Sequence, residues 1–384
     1  MNKRNILTRV KAENCFGCGN CATRCPAGVL EMRRQGDGFL YPSALDLQHC
    51  AECGICLNSC PCCSPPAGQS PIRAYAAHMR SGLKESGCSS GGAAALLGEE
   101  MLKRGGIVYG AVYTPTFEVV HRAAGTLSEL REQRGSKYIQ SDLNVCFREI
   151  DILLKKGTPV LFLGTPCQVA GLRTYLNWEC RTLICCDLIC HGVSSPKLFR
   201  AFLTFIEKFF KSRPNALNMR ARSSSRTSCM RIDFPFGHRA GDSLECQLWH
   251  RSYFNNFGLR DACSHCSYAS LSRQGDLSLG DFWGIGKSYP EFDFPDGNSL
   301  ILVNTPTGEQ YLEALRPKLE YHAVELRNCM QPSLEKPVVP NCRNREFMND
   351  LTQMDFRQLA KSYLNYTWSE RLRYCLAHLR GKWY

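Results

Sequence analysis

The sequence predicts a small α+β module, then an α/β domain, then a helical tail. Three observations predict it: a cysteine pattern repeated within residues 1–63, short apolar strands alternating with helices after a Pro/Gly/Ser-rich stretch, and a basic amphipathic run from Arg357 to Tyr384. At 384 residues the chain exceeds the length of about 250–300 residues at which single cores usually stop growing, so two or three domains are expected. Its 44% hydrophobic and 21% charged residues exclude collagen-like, low-complexity and wholly disordered classes.

The 24 cysteines set the chain apart. Met1 to Glu13 mixes Lys3, Arg4, Arg9 and Lys11 with polar residues and lacks the apolar core of a secretory signal. No stretch approaches the roughly 20 consecutive apolar residues of a membrane-spanning helix. A cytoplasmic location is therefore expected, where clustered thiols bind metals or clusters more often than each other.

Cys15-Phe-Gly-Cys18-Gly-Asn-Cys21-Ala-Thr-Arg-Cys25-Pro26 has the spacing C-x2-C-x2-C-x3-C-P, and it recurs as Cys50-Ala-Glu-Cys53-Gly-Ile-Cys56-Leu-Asn-Ser-Cys60-Pro61. Three evenly spaced thiolates can hold three corners of one iron–sulfur cubane, with Gly17, Gly19 and Gly54 permitting the tight wrapping. The spacing is that of a two-cluster, bacterial-type ferredoxin-like module, in which the fourth cysteine of each run ligates the other cluster. Cys15, Cys18, Cys21 and Cys60 are thereby assigned to one [4Fe-4S] cluster, and Cys50, Cys53, Cys56 and Cys25 to the second. A zinc ribbon has no use for the third thiolate of each run. Cys62 and Cys63 read as bystanders, and the stretch 64–74 reads as a linker.

The formal charge of +12 counts neither clusters nor cofactors. Each oxidised four-iron cluster with its thiolates carries about −2, so much of the basic excess is accounted for as counter-charge. The basic residues are scattered rather than gathered into an aromatic-interleaved stripe, so no nucleic-acid partner is expected.

In the larger part, helices are expected over Gly91–Arg104, Leu143–Lys156, Gln168–Leu176 and Lys197–Lys211, the last with Leu198, Phe202, Phe205 and Phe209 inward. Strands are expected over Ile107–Tyr113, Pro159–Leu163 and Arg181–Ile189. Ligands in such folds gather at loops after strand carboxyl ends. Cys167 and Cys190 fall in two such loops, and Cys263-Ser-His-Cys266 precedes Gly280-Asp-Phe-Trp283-Gly. Spacing alone leaves three readings of these four cysteines open: a third cluster, a zinc site, or small core residues like Cys180, Cys185 and Cys186. Ser86 to Gly92 opens a helix and reads either as a phosphate cradle or as ordinary capping. His121 and His191 read as satisfied structural residues. The basic tail reads as a solvated terminal helix or as a docking element.

Ser89-Ser-Gly-Gly92, Gly135-Ser-Lys-Tyr-Ile-Gln-Ser141, Gly164-Thr-Pro-Cys-Gln-Val-Ala-Gly-Leu172, Asp187-Leu-Ile-Cys-His-Gly-Val-Ser-Ser-Pro196, Arg260-x2-Cys-x2-Cys266 and Asp276-x-Ser-x-Gly-Asp-Phe-Trp-Gly284 together resemble the coenzyme F420 hydrogenase/dehydrogenase beta-subunit family. The resemblance implies an α/β flavoprotein domain binding FAD, with parts at 75–155 and 156–330, between the dicluster module and a helical basic tail at 331–384. It implies a third [4Fe-4S] cluster on Cys167, Cys190, Cys263 and Cys266. It also implies flavin contacts at Ser90, Gly91, Gly92, Ser136, Lys137, Tyr138, Ser141, Thr165 and Gln168, with Lys137 near the isoalloxazine or a phosphate.

These readings predict an iron–sulfur flavoprotein oxidoreductase in which FAD exchanges a hydride with an organic donor or acceptor. A redox partner protein, a ferredoxin or a reductase subunit, is expected, and a homo-oligomer is compatible. The competing classes are a non-catalytic electron-transfer subunit and a redox-sensing regulator. No catalytic side chain is assigned, and beyond Asn304 nothing is recognisable.

Overall fold

Short apolar runs bounded by turn residues form the strands β1 Leu30–Arg34, β2 Leu40–Ala44, β3 Arg73–Met79, β4 Ile107–Tyr113, β5 Val119–Ala124, β6 Val160–Gly164, β7 Leu183–Leu188, β8 Ala216–Arg222, β9 Ser228–Asp233, β10 Arg239–Ala240, β11 Leu277–Asp281, β12 Ser299–Val303 and β13 Leu319–Val324. The computed structural model describes residues 5–80, 88–143, 145–222, 228–241, 243–295 and 297–379. An eight-stranded sheet in the order β13-β3-β12-β11-β7-β6-β4-β5 forms the frame. Its neighbours β4, β6, β7 and β11 are parallel, whereas β12 runs against both β11 and β3. Two reversals restore the direction. The carboxyl ends of β3, β4, β6, β7 and β11 therefore share one edge, the edge at which α/β sheets collect ligands.

The helices that position the site are α1 Ile6–Arg9, α2 Asn20–Thr23, α3 Ile55–Asn58, α4 Ala93–Lys103, α5 Leu127–Gln133, α6 Cys146–Lys155, α7 Pro166–Leu176, α8 Pro196–Phe210 and α9 Leu244–Phe254. Successive side chains of a strand point to opposite faces, and both faces of this sheet are apolar. Val108, Leu161, Ile184 and Cys186 pack with Leu96, Leu97 and Met101 of α4 on one face. Tyr109, Phe162 and Cys185 pack with Phe147 and Ile150 of α6 and Val169 and Leu172 of α7 on the other. Cys185 and Cys186 are core residues, as expected.

A further core joins α8, α9 and the small sheet β10-β9-β8 around Phe202, Trp249 and Phe356. Leu198, Phe202 and Phe205 of α8 are buried as the periodicity predicts, but Phe209 is 41% exposed and Ile206 fills the core instead. The helix ends at Lys211, whose φ of 52° turns the chain away before the core can cover Phe209.

The first 63 residues carry the hairpin β1–β2 and a small core of Ile6, Val29 and Leu30 against Cys21, Cys56 and Cys60. Buried Asn20 joins this core to the large sheet, its Nδ2 donating to Ser59 O at 2.8 Å and to Gly171 O of α7 at 2.7 Å. The expected linker lies along the large sheet: Gln69 pairs with Arg273 in an antiparallel bridge, and Ile72 N donates to Val303 O. In the tail, helices Phe356–Tyr363 and Trp368–Leu379 take the place of one basic helix, and Arg371 pairs with Glu245 and Arg373 with Glu370. Lys3, Arg4, Ser86, Gly87, Arg380 and Lys382 lie outside the described residues.

Candidate functional site

The repeat folds into two matching turns. Gly19 and Gly54, at equivalent positions, take φ of 80° and 73° and open α2 and α3. Gly17 has φ 69° and its counterpart Glu52 has φ 51°. Their surroundings explain the different residues: a Cβ on Gly17 would lie 2.6 Å from Gln140 Nε2 and 3.0 Å from Leu40 O, whereas Glu52 is exposed. The first turn is sealed against the large sheet, and the second faces outward.

Cys15, Cys18, Cys21 and Cys60 line one opening, and Cys25, Cys50, Cys53 and Cys56 line another. Each fourth cysteine has crossed to the other run's turn. Burial pushes the Cys18 thiol well up, and charge on Cys21, Cys60 and Cys15 opposes its ionisation further. Burial raises Cys56 in the same way, with Cys53, Cys25 and Cys50 adding to it. Cys62 also lines the first opening, its Sγ donating to Asn14 O at 2.7 Å. Contact with Cys62 holds the Cys60 thiol below its ordinary value. The sequence reading of Cys62 as a bystander is thus corrected: the turn at Pro61 folds it back against Cys60.

The third set comes from three loops. Cys167 lies in the first turn of α7 after β6, and Cys190 follows β7. Cys263 lies within the short 3-10 turn Asp261–His265, and Cys266 caps its end. The neighbouring loops converge: a Cβ on Gly192 would lie 3.7 Å from Cys263 Sγ. Burial pushes Cys190 well up, with Cys263, Cys167 and Cys266 adding to it. Burial likewise holds Cys167 and Cys263 at about 12 and Cys266 at about 11. Grouped, buried thiols ionise readily only when a metal supplies the opposing charge. Among the described residues no group of three His, Cys, Asp or Glu side chains is arranged to hold a single metal ion.

The residues expected to meet flavin lie along the shared carboxyl edge. Ser136 N and Oγ bond Ser89 Oγ at 2.8 and 3.0 Å, which joins the loop after β3 to the 135–141 loop. Ser90 Oγ donates to Asn298 O, and Gly91 has no room for a side chain because a Cβ would meet Ala77 O at 2.3 Å. Gly92, at φ 88°, opens α4 with no side-chain cap. Lys137 Nζ donates to the carbonyls of Glu132, Gln133, Arg134 and Gly135, closing the end of α5. Burial lowers the Lys137 ammonium to about 7, while the four carbonyls favour its charged form. Tyr138 stacks on Tyr253 at 4.4 Å, and Tyr253 Oη donates to Gly192 O beside Cys190.

Ser141 and Gln168 belong to a buried relay. Gln168 Nε2 donates to Ser141 Oγ at 2.8 Å, Ser141 Oγ meets His121 Nδ1 at 2.9 Å, and His121 Nε2 meets Leu163 O at 3.0 Å. Because Leu163 O can only accept, the proton of neutral His121 sits on Nε2. Thr165 N donates to Gln168 Oε1, which completes a capping box on α7. The reading of His121 as a satisfied structural residue agrees with this relay. His191 Nε2 meets Asn256 Oδ1 at 2.7 Å.

Burial lowers His121 to about 4 from an ordinary value of 6.5. The unfolded chain therefore binds this proton first, and the stability His121 contributes above pH 6.5 is lost as pH falls towards 4. Between pH 7 and pH 5 the expected loss is about 2 kcal/mol. Urea midpoints of the wild type and of His121→Asn check this, since only the wild type carries that component of the pH dependence.

Sequence reasoning assigned no role to several residues that join the first and third cysteine groups. Arg260 Nε donates to Cys15 O at 2.6 Å and its NH1 to Gln140 Oε1 at 2.8 Å. Tyr268 Oη donates to Pro61 O, and its ring lies 5.4 Å from that of Phe16. Arg260 and Gln140 stood inside recognised motifs, but nothing local in the sequence signals contacts across so many residues.

Residues 157–328 match the family model for the carboxyl-terminal part of the beta subunit in coenzyme F420 hydrogenase/dehydrogenase. The motifs and this match point to a redox-protein class, with residues 157–328 similar to the beta subunit of coenzyme F420 hydrogenase/dehydrogenase. It is 20% identical over 330 residues to a subunit of the F(420)H(2) dehydrogenase of Methanosarcina mazei, covering 82% of this chain and 86% of that one. It is 24% identical over 365 residues to the coenzyme F420-dependent sulfite reductase of Methanocaldococcus jannaschii, covering 90% of this chain but 54% of the relative. A chain of the F420-reducing [NiFe] hydrogenase complex from Methanosarcina barkeri aligns at 16% identity with a TM-score of 0.46, over 78% of this chain and 93% of that one. No helix among the described residues is long and apolar enough to cross a membrane.

Proposed function

We propose that the chain is an iron–sulfur flavoprotein oxidoreductase with three [4Fe-4S] clusters and FAD. The observation that carries this is the gathering of twelve cysteines into three groups of four, two of them with crossed fourth members. Soft thiolate donors around a space suit a cubane better than a single zinc ion, which takes four ligands at one point. Cys15, Cys18, Cys21 and Cys60 would hold the inner cluster, Cys25, Cys50, Cys53 and Cys56 the outer one, and Cys167, Cys190, Cys263 and Cys266 the third.

FAD would lie along the shared carboxyl edge, near Ser90, Gly91, Gly92, Ser136, Lys137, Tyr138, Ser141, Thr165 and Gln168. What supports it is polar capacity at that edge. Tyr113 Oη at the end of β4 and Ser194 Oγ beyond β7 are buried without a hydrogen-bond partner, a condition that costs about 1–3 kcal/mol each until a ligand or water meets them. When bound, clusters supply one-electron transfer and flavin supplies hydride exchange. Gly92 would leave free N–H groups of α4 for an anionic phosphate, and Lys137 would hold the nearby turn rigid. The names of the relatives point to F420 chemistry for the hydride donor or acceptor, and a redox partner protein would exchange electrons at the outward turn.

A second reading, a non-catalytic electron-transfer subunit, is favoured by one observation: Ser136, Lys137, Ser141 and Gln168 all have partners inside the protein. One assay separates the two. Protein purified without oxygen should contain about twelve irons and matching acid-labile sulfide per chain, and acid should release FAD. Full iron without flavin would select the electron-transfer subunit, and colourless, iron-free protein would sink both.

A further inference from the structure

We infer that Arg260 is the shared counter-charge of the inner and third clusters, and that it raises the reduction potentials of those two centres but not of the outer one. The inference rests on the ligation proposed above.

Arg260 is 2% exposed. Its three hydrogen bonds end on neutral oxygens: Cys15 O, Gln140 Oε1, and Leu40 O at 2.9 Å from NH2. The rings of Tyr41 and Phe39 lie 4.3 and 5.2 Å from its guanidinium carbon. Among the described residues no carboxylate lies within ion-pair distance of Arg260, whereas the other fully buried arginine, Arg273, pairs with Asp187 at 2.6 Å. A buried cation without an anion is strongly unfavourable, because attraction in a low-dielectric interior must offset the loss of hydration. Arg260 thus needs an anion that the side chains around it do not provide.

Its position supplies that anion. Arg260 bonds the backbone of Cys15, brings its NH1 to 3.0 Å from where a Cβ on Gly17 would lie, and sits three residues before Cys263. A four-iron cluster with four thiolates carries about −2 when oxidised and about −3 when reduced. A fixed positive charge beside it therefore favours the reduced form. The outer opening, lined by Cys25, Cys50, Cys53 and Cys56, contains neither Arg260 nor any of its partners Cys15, Leu40 and Gln140. One guanidinium is thus a positioning residue for two centres, and the difference between inner and outer clusters is built into where it sits. The same fork ties the 1–63 segment to the 135–141 loop, since Gln140 Nε2 also donates to Phe16 O at 3.0 Å.

The test compares Arg260→Lys, which keeps the charge, with Arg260→Gln, which removes it, in the full-length protein prepared without oxygen. Redox titrations followed by electron paramagnetic resonance, with iron counts, read each centre separately. In Arg260→Gln the inner and third centres should become about tenfold harder to reduce, about 59 mV lower for one electron, with the outer centre unmoved. Arg260→Lys should stay near the wild type. Loss of iron from the two flanking centres in Arg260→Gln alone would also support the inference. Lysine and glutamine variants that behave alike, in potential or in iron loss, would overturn it. Wild-type protein without iron would instead defeat the cluster reading itself, so the two failures remain distinct.

Discussion

Asp187→Asn is expected to destabilise the protein by about 3–5 kcal/mol, because it leaves the buried Arg273 cation unpaired. Neither side chain is exposed to solvent, and they meet at 2.6 Å. Asp187 Oδ2 also accepts from Gln274 N and Gly275 N, both at 2.8 Å, while Arg273 donates to Ser278 Oγ and to the carbonyls of Ser270 and Leu188. These bonds hold the end of β7, which leads to Cys190, against the segment that runs from Cys266 to β11. Urea midpoints measure the loss of stability, and iron counts should show the third centre emptied before the other two. Removing both charges, as Asp187→Asn with Arg273→Gln, should destabilise less than Asp187→Asn alone. A single variant with wild-type stability would mean that the pair contributes nothing net.

How much was legible in the sequence follows from how local each signal is. The grouping of the N-terminal cysteines was readable because three of every four sit within one turn-forming run, and the trailing cysteine before proline recurs at the same offset in both runs. The third set was not, because Cys167, Cys190 and the Cys263–Cys266 pair meet only when β6, β7 and β11 lie side by side, and strand order is not written in the strands themselves. Spacing left core, zinc and cluster readings open, and it was the family motifs that favoured the cluster. Strand and helix bounds in the α/β part followed from short apolar runs ended by Gly105 and Gly157, both at positive φ. Phe209 was misjudged because periodicity continues to the last turn of a helix after the core it serves has ended. Gln140, Arg260 and Asn20 escaped notice for a different reason. Each acts through contacts more than a hundred residues away, and a polar residue buried by tertiary packing looks the same in sequence as one in water.

Those long contacts bear on the second large effect, the assignment of Cys60. By chain order Cys60 belongs with Cys50, Cys53 and Cys56, yet it lines the opening of Cys15, Cys18 and Cys21. Its removal should therefore damage the inner centre and spare the outer one, while Cys25→Ala should do the reverse. Cys62 complicates the first half of the experiment, because it touches Cys60 and lines the same opening, so a vacated corner lies within reach of a second thiol. The informative variant is Cys60→Ala combined with Cys62→Ala, compared with Cys18→Ala for the inner centre and Cys53→Ala for the outer. Iron should fall from about twelve towards about eight per chain in each, and the resonance lost should match Cys18→Ala and not Cys53→Ala. A spectrum like that of Cys53→Ala would mean that each run binds its own cluster. The crossed connection, which ties the two turns into one unit, would then have to be abandoned.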